Sequence, residues 1–292
     1  MTLGQITLLV KAAASSWIDD YAPSMGAALS YYTLFSIAPL LLIVISVGGL
    51  VFGEDAARGE IFAQLNEFMG IEAAAAIQSL LQSVNKPAES RLGTLIGIGL
   101  VLVGSTTVLA ELQNAMDRIW HAPERGKSTG IWNFLRTRLL SFGMILSIGF
   151  LLMVSLVMGA VFAAVGRWWT PYFIGWELVA QGLNIVIGFG FTLLAFAMIY
   201  KTMPRVKIAW RDVWIGAGAT AVLFTVGKFL IGYYIGKSGI VSGFGAASSI
   251  VVVLVWVYYS AQIFLIGAEF TRAYAYMYGS RQGRLKEESG AP

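Results

Sequence analysis

The sequence has no cysteine, a single histidine and little charge, and each shortage excludes a class of protein. Without cysteine there is neither a disulfide framework nor thiolate chemistry. One histidine, His121, cannot form the multi-histidine zinc site of a metalloenzyme. Charged residues make up 12% of the chain, whereas soluble domains average about 25%. Together with long uncharged runs, this deficit predicts an all-α integral membrane protein.

Motifs for phosphate binding and nucleophilic catalysis are also missing. The chain has no glycine-rich loop of the full P-loop pattern and no serine in the strand-to-helix turn of a nucleophile elbow. We therefore expect no enzymatic activity, no bound metal and no cofactor. One alternative stays open, a magnesium site built from Glu111, Asp117 and Glu269.

Long apolar runs recur along the chain. A bilayer core of about 30 Å takes roughly 20 apolar residues of helix. The runs predict six transmembrane helices at about 27–52, 92–114, 139–165, 178–200, 213–236 and 246–270. The connections are too short to hold a separate domain, so we expect one bundle over residues 1–278. Residues 279–292 are polar and predict a flexible cytoplasmic tail.

Two further segments have the pattern of amphipathic surface helices. The N-terminal segment is too short in its apolar run for a secretory signal, so we expect it to be retained at the membrane surface. The first extracytoplasmic loop, 54–91, has apolar residues at helical spacing and predicts two short helices. They would form either a cap packed on the bundle or a mobile lid.

Lysine and arginine favour one side of the predicted bundle. The connections 115–138 and 201–212 and the C-terminal end are rich in both residues, and the opposite connections have fewer. By the positive-inside rule both termini are cytoplasmic.

The last predicted span has a polar face. Residues 238–268 carry no charge, and Glu269 and Arg272 follow. Tyr258, Gln262 and Glu269 are spaced by four and seven residues, so they share one face of a helix. This face predicts a polar stripe that meets other helices.

Charged residues elsewhere in the spans differ in depth. Glu111 lies roughly 28 Å down the second span at 1.5 Å per residue, near the cytoplasmic face. We expect Glu111 and Glu269 to meet there, beside Asn114, Arg118 and Arg272. Lys228 lies in the outer half, too far away to pair with either carboxylate.

Two interpretations of these charges stay open. In the structural one, the carboxylates form helix-end ion pairs with arginine, and Lys228 extends its ammonium group to the outer headgroups. In the functional one, the polar residues mark the two ends of a path or gate between helices, because charges within spans are costly and usually face protein or water.

The first span contains a predicted helix break at Pro39, which cannot donate to the carbonyl of Phe35. Tyr32 and Ser36 lie on one face just before it. The break is either a structural kink or a hinge and binding position. Glycines also recur four residues apart, which predicts close helix packing or a homo-oligomer. These pairs are Gly93 and Gly97, Gly232 and Gly236, and Gly239 and Gly243.

Three motifs together resemble the YihY family, also called the BrkB virulence-factor family. They are ALSYYTLFSIAPLLL in the first span, ELQNAMDRIWH ending the second, and LVWVYYSAQIFLIGAEFTRAY in the sixth. The matching residues are Tyr31, Tyr32, Ser36, Pro39, Asn114, Ile119, Trp120, Gly267, Ala268 and Glu269. This chain departs from the family pattern at Leu112 and Gln113, where members commonly have Ala-Leu.

The resemblance implies a six-helix protein of the bacterial inner membrane with cytoplasmic termini. It favours a transporter or flippase-like facilitator for a lipid or other amphiphile, with membrane lipids as partners and no nucleic acid. A non-transporting envelope scaffold is the alternative. The family has also carried the label ribonuclease BN, which conflicts with these residues, because RNA hydrolysis needs a metal or acid-base cluster in a basic groove.

Overall fold

The computed structural model describes residues 2–84, 107–123, 176–238, 243–244 and 247–282. Within those ranges all regular structure is helical. The third predicted span, most of the second, Gly93, Gly97 and Gly239 lie outside the described residues, as do residues 283–292.

Eight helical elements make up the described part of the chain. They are α1 (Leu3–Asp19), α2 (Ala22–Phe52), α3 (Glu54–Met69), α4 (Ile71–Val84), α5 (107–119), α6 (Trp176–Thr202), α7 (Trp210–Lys237) and α8 (Ser248–Met277). By length and composition, three of them can cross a membrane, through Ile185–Thr202, Trp210–Lys237 and Ser248–Met277. The full six-helix bundle stays a prediction.

Several helices extend beyond their predicted ends. Helix α2 begins at Ala22, after a left-handed Tyr21 (φ 58°) ends α1, and a proline stands in its first turn. Helix α5 continues to residue 119 and α8 to Met277, instead of ending near 114 and 270. The predicted ends followed the first charged residues. Charged residues near these points have partners within the fold, as Glu269 has in Arg272 and Asp117 has in Arg205, so they do not end the helices.

The two helices predicted in the first long loop are present as α3 and α4. Helix α4 packs against α2 and α8. Its buried residues Ala73, Ala76 and Ile77 join one hydrophobic cluster with Val252 and Val253 of α8. These contacts of α4 with α2 and α8 favour the packed cap over the mobile lid.

Helix α8 lies at the centre of the described helices, in contact with α1, α2, α4 and α7. A second hydrophobic cluster surrounds its C-terminal half and joins it to α2, α5, α6 and α7. Trp120, Tyr200 and Leu265 are among the most deeply buried members. Of the predicted polar stripe, Gln262 and Glu269 have buried polar groups facing neighbouring helices, whereas Tyr258 is partly exposed.

Glycines let α7 and α8 approach each other closely. A Cβ at Gly216 would overlap Thr271, and one at Gly267 would overlap Thr220. The Tyr200 hydroxyl, on α6, lies 2.9 Å from the Thr220 hydroxyl and donates to the Phe264 carbonyl at 2.8 Å. Three helices therefore meet at one hydrogen-bonded contact.

None of the described helices packs closely on the Gly232 and Gly236 pair. A Cβ at Gly232 would meet nothing within 4 Å, and one at Gly236 would come no closer than 3.5 Å to the Glu72 carboxylate. Close packing at this pair stays a prediction, because a glycine pair marks a close crossing only where a second helix faces it. A homo-oligomer through this face stays a prediction.

The predicted flexible tail starts with ordered residues. Ser280 donates to the buried Asp212 carboxylate from its backbone N–H at 3.1 Å and from its hydroxyl at 2.6 Å. Arg281 donates to the Tyr276 hydroxyl at 3.1 Å and to the Lys207 carbonyl at 3.0 Å. Residues 279–282 therefore pack against the end of the bundle, because Asp212 needs donors when buried.

Candidate polar path along α8

Gln262 has a buried amide without a hydrogen bond. Both its Nε2 and Oε1 atoms are inaccessible to solvent and have no partner within the described part of the chain. The amide lies against α2 at Gly26, where a Cβ would overlap Nε2, and the Tyr258 ring lies beside it. An unsatisfied buried polar group costs about 1–3 kcal/mol. Such a group is a place where water or a polar ligand would be stabilised.

Glu269 follows Gln262 two turns along α8. The residue is 1% exposed, and neither carboxylate oxygen has a hydrogen bond to a described residue. Among the described residues it forms an ion pair with Arg272, whose Nη1 lies 3.8 Å from Oε2. Asp20 and Asp19 also act on it electrostatically. A single guanidinium therefore lies next to more than one acidic group.

Arg272 joins three other residues in what we call the Arg272 cluster, which consists of Asp20, His121, Glu269 and Arg272. Its Nη1 lies 3.6 Å from Asp20 Oδ2, and its Nη2 lies 2.7 Å from His121 Nδ1. His121 Nε2 lies 3.4 Å from Asp20 Oδ1. Because the guanidinium can only donate, Nδ1 accepts and the proton of a neutral His121 is on Nε2, facing Asp20.

Two left-handed residues position this cluster. Tyr21 (φ 58°) turns the chain between α1 and α2, directly after Asp20. His121 (φ 45°) follows the end of α5, where its N–H bonds to Arg118 and the Ala122 N–H bonds to Asp117. This pair of bonds is the Schellman motif, which normally takes glycine at the left-handed position. The Arg272 cluster thus joins α1, α5 and α8.

The predicted meeting of Glu111 and Glu269 stays a prediction. Glu111 is half-buried on α5 and Asn114 is exposed. The charged groups that act on Glu269 within the described residues are Asp20, Asp19 and Arg272. Arg118 has its guanidinium carbon 5.2 Å from the Tyr21 ring centre.

Lys228 lies at a different level from the Arg272 cluster. It follows Gly227, whose neighbours on α8 are Tyr259 and Ile263. These residues are six to ten positions from Glu269, or roughly 9–15 Å along the helix axis. Lys228 has its ammonium group 5.5 Å from the Phe229 ring centre. That Lys228 does not pair with Glu269 directly stays a prediction.

The predicted helix break lies inside a continuous helix. Helix α2 runs from Ala22 to Phe52 through Pro39 without interruption. The Ser36 hydroxyl donates to the Tyr32 carbonyl at 2.7 Å, and Ser36 is buried. A serine bond of this kind favours a bend. A hinge or binding role for Tyr32, Ser36 and Pro39 stays a prediction.

Two of the three carboxylates proposed for a magnesium site, Asp117 and Glu269, lie next to arginine side chains. Asp117 pairs with Arg205 at 2.8 Å and accepts from its backbone N–H at 3.0 Å. Glu269 lies next to Arg272. Among the residues described, no group of three or more histidine, aspartate or glutamate side chains is arranged to hold a metal.

Sequence reasoning missed Asp20, His121 and Gly26. Asp20 borders the uncharged run that begins at Tyr21, just as Glu269 borders the run on α8, and this symmetry was a usable signal. A single histidine such as His121 forms no pattern with other residues of the sequence, so no motif pointed to it. Nothing in the sequence pairs Gly26 with Gln262, because that contact depends on how α2 crosses α8.

Long apolar helices, polar residues buried between them and a charged cluster at the helix ends define an all-helical membrane protein. The model of the family described as Virulence factor BrkB matches residues 13–291. The chain belongs to this family.

Relatives carry the uninformative description UPF0761 membrane protein. One from Pseudomonas paraeruginosa is 28% identical over 264 residues, covering 87% of this chain and 60% of its own length. One from Tolumonas auensis is 28% identical, covering 86% of this chain and 80% of its own length. The chain thus spans about three fifths of some relatives. No solved structure matches it.

Proposed function

We propose that the protein facilitates the movement of a lipid or other amphiphile across the membrane, without an ATPase of its own. The headgroup would move along the seam where α1 and α2 meet α8, past Gln262 and Glu269. The observation that carries this proposal is the buried amide of Gln262, which lacks a hydrogen bond within the described chain.

A polar headgroup would compensate for this amide. Gln262 offers both a donor and an acceptor, and Gly26 removes the side chain that would otherwise fill the space beside it. Tyr258, one turn away and 38% exposed, adds a hydroxyl-bearing ring on the same face. An apolar chain would meanwhile stay in the lipid, as the exposed apolar residues of α7 permit.

The Arg272 cluster would act as the gate at one end of the seam. Its arginine bridges α8 to the α1–α2 turn through Asp20. A guanidinium with shared acidic partners can release one of them and bind a phosphate or carboxylate headgroup instead. Opening the seam would then require α1 to separate from α8.

A non-transporting scaffold is the second candidate, and the same cluster favours it. Ion pairs and hydrogen bonds that tie α1, α5 and α8 together suit a rigid structural element. On this alternative the seam is dry and no headgroup passes Gln262.

Lipid scrambling in liposomes tests the proposal. We expect the purified full chain to move a fluorescent phospholipid between leaflets, measured by the fraction that an impermeant reductant quenches. Gln262→Leu should slow this movement at least tenfold, because the headgroup loses its polar partner.

Gln64→Leu is the matched control, since it removes a half-buried amide on α3, away from the seam. Its rate should equal that of the unsubstituted protein. Equal rates for Gln262→Leu and the unsubstituted protein would refute the path. Complete inactivity of the unsubstituted protein towards lipids would favour the scaffold.

A further inference from the structure

A cavity lies between α2, α3 and α4, beside the C-terminal half of α2. The Arg272 cluster lies at the other end of α2. Its volume is about 80 Å³. It is lined by Leu41, Ile45, Arg58, Ile61, Phe62, Leu65, Ile77, Gln78, Leu81 and Gln82. Most of these side chains are apolar, so the space suits hydrocarbon. The cavity is open on one side.

The positively charged side chain of Arg58 is part of the cavity lining. Its Nη2 donates to Glu54 Oε1 at 2.7 Å, one turn earlier on α3. Its Nε is buried and has no hydrogen-bond partner within the described residues. Glu54 is 66% exposed and screened by solvent, so it satisfies only part of the guanidinium. The Arg58 side chain is 35% exposed, so a second anion can still reach the guanidinium.

The amides of Gln78 and Gln82 stand beside the cavity on α4, one turn apart. Both residues are exposed, so they can add hydrogen bonds at the opening. The cavity thus combines an apolar interior with a guanidinium and two amides. This combination complements a molecule with one apolar end and one anionic end.

We propose that this cavity binds a single-chain anionic amphiphile, with its carboxylate or phosphate on Arg58 and its first methylenes between α2, α3 and α4. The volume decides for one chain, since about 80 Å³ is roughly half of the 150 Å³ cavity that holds a benzene ring. The two acyl chains of a phospholipid do not fit inside together. The site rests on its own contacts and not on transport along α8.

Photolabelling tests the site with the full chain in a non-ionic detergent. The probe is dodecanoic acid carrying a diazirine near its carboxyl group. We expect crosslinks within residues 41–82. Unlabelled dodecanoate and dodecyl phosphate should both compete with the probe, and their relative strength ranks the two headgroups. Dodecanol, which has no anionic group, should compete at least tenfold more weakly than either.

Two variants are expected to act in opposite directions. Arg58→Gln should weaken dodecanoate binding at least tenfold, because the cation is lost. Glu54→Gln should strengthen it about threefold, because Arg58 loses its competing carboxylate. Lys237→Gln is the matched control, since it removes a cation on α7, outside the cavity lining, and should leave binding unchanged.

Crosslinks spread over other helices, or equal binding by Arg58→Gln and the unsubstituted protein, would overturn the site. Competition by dodecanol as strong as that by dodecanoate would show an apolar cavity without anion recognition. It would overturn the proposal as well. Midpoints of thermal unfolding, measured for each variant, show whether lost binding reflects lost folding, and the gain expected for Glu54→Gln cannot arise from misfolding.

Discussion

Arg272→Ala should destabilise the protein by about 3–5 kcal/mol, the cost of removing one partner from a buried ion pair. Asp20 and Glu269 would both remain, with side chains 14% and 0% exposed and without the guanidinium that lies 3.6 and 3.8 Å away. His121 would also lose the donor to its Nδ1. The free energy of unfolding, measured by denaturant titration in micelles, checks the effect.

The double variant Arg272→Ala with Glu269→Gln separates charge from packing. Replacing the carboxyl group that has lost its guanidinium partner should restore more than half of the lost free energy, because the two sites interact directly. Arg272→Lys should fall between, since an ammonium group cannot span Asp20, Glu269 and His121 at once. A free energy of unfolding for Arg272→Ala within 1 kcal/mol of the unsubstituted protein would mean that the cluster does not hold α8 in place.

Gly267→Leu should also destabilise the fold by roughly 3–5 kcal/mol, the upper end of overpacking combined with lost hydrogen bonds. A side chain at Gly267 would overlap Thr220 and press on Tyr200. The Tyr200 hydroxyl would then lose its bonds to Thr220 and to the Phe264 carbonyl. Because α6, α7 and α8 meet there, no single helix can move aside without disturbing the other two.

Gly232→Leu is the matched control for this substitution. It adds the same side chain to a glycine of the same helix pair, but its Cβ would meet nothing within 4 Å. We expect a change within about 0.5 kcal/mol, as for most surface substitutions. Similar losses at both positions would show that the contact at Gly267 does not account for the lost stability, because leucine has a higher helix propensity than glycine at either position.

Much of the fold follows from local patterns in the sequence. Long apolar runs predicted α6, α7 and α8 within a few residues, except that α8 continues past Arg272 to Met277. The spacing of apolar residues predicted α3 and α4, because in an amphipathic helix the apolar residues recur on the face that is buried. The family resemblance at the ends of α5 and α8 is confirmed.

The contacts between helices could not be predicted in the same way. No sequence pattern places Asp20 of the α1–α2 turn beside Glu269, yet it is one of the described neighbours of that carboxyl group. Among the described helices, close contacts lie at Gly216 and Gly267, where the sequence shows no glycine pair at four-residue spacing. Both outcomes depend on the angle and register at which helices cross, and a single sequence contains no direct record of either.

The most direct test of the polar path is the water accessibility of Gln262. The chain has no native cysteine, so Gln262→Cys and Leu265→Cys each introduce one thiol without further changes. A thiol reacts as its thiolate, which forms readily only in contact with water. Leu265 is the control, because it is fully buried on α8 within the hydrophobic cluster.

We predict that a water-soluble, membrane-impermeant thiol reagent modifies Gln262→Cys in the folded protein in liposomes, and modifies Leu265→Cys only after denaturation. The measurement is the modified fraction by mass spectrometry over time. If the cysteine at 262 also reacts only after denaturation, the seam between α2 and α8 is dry and the proposed path does not exist.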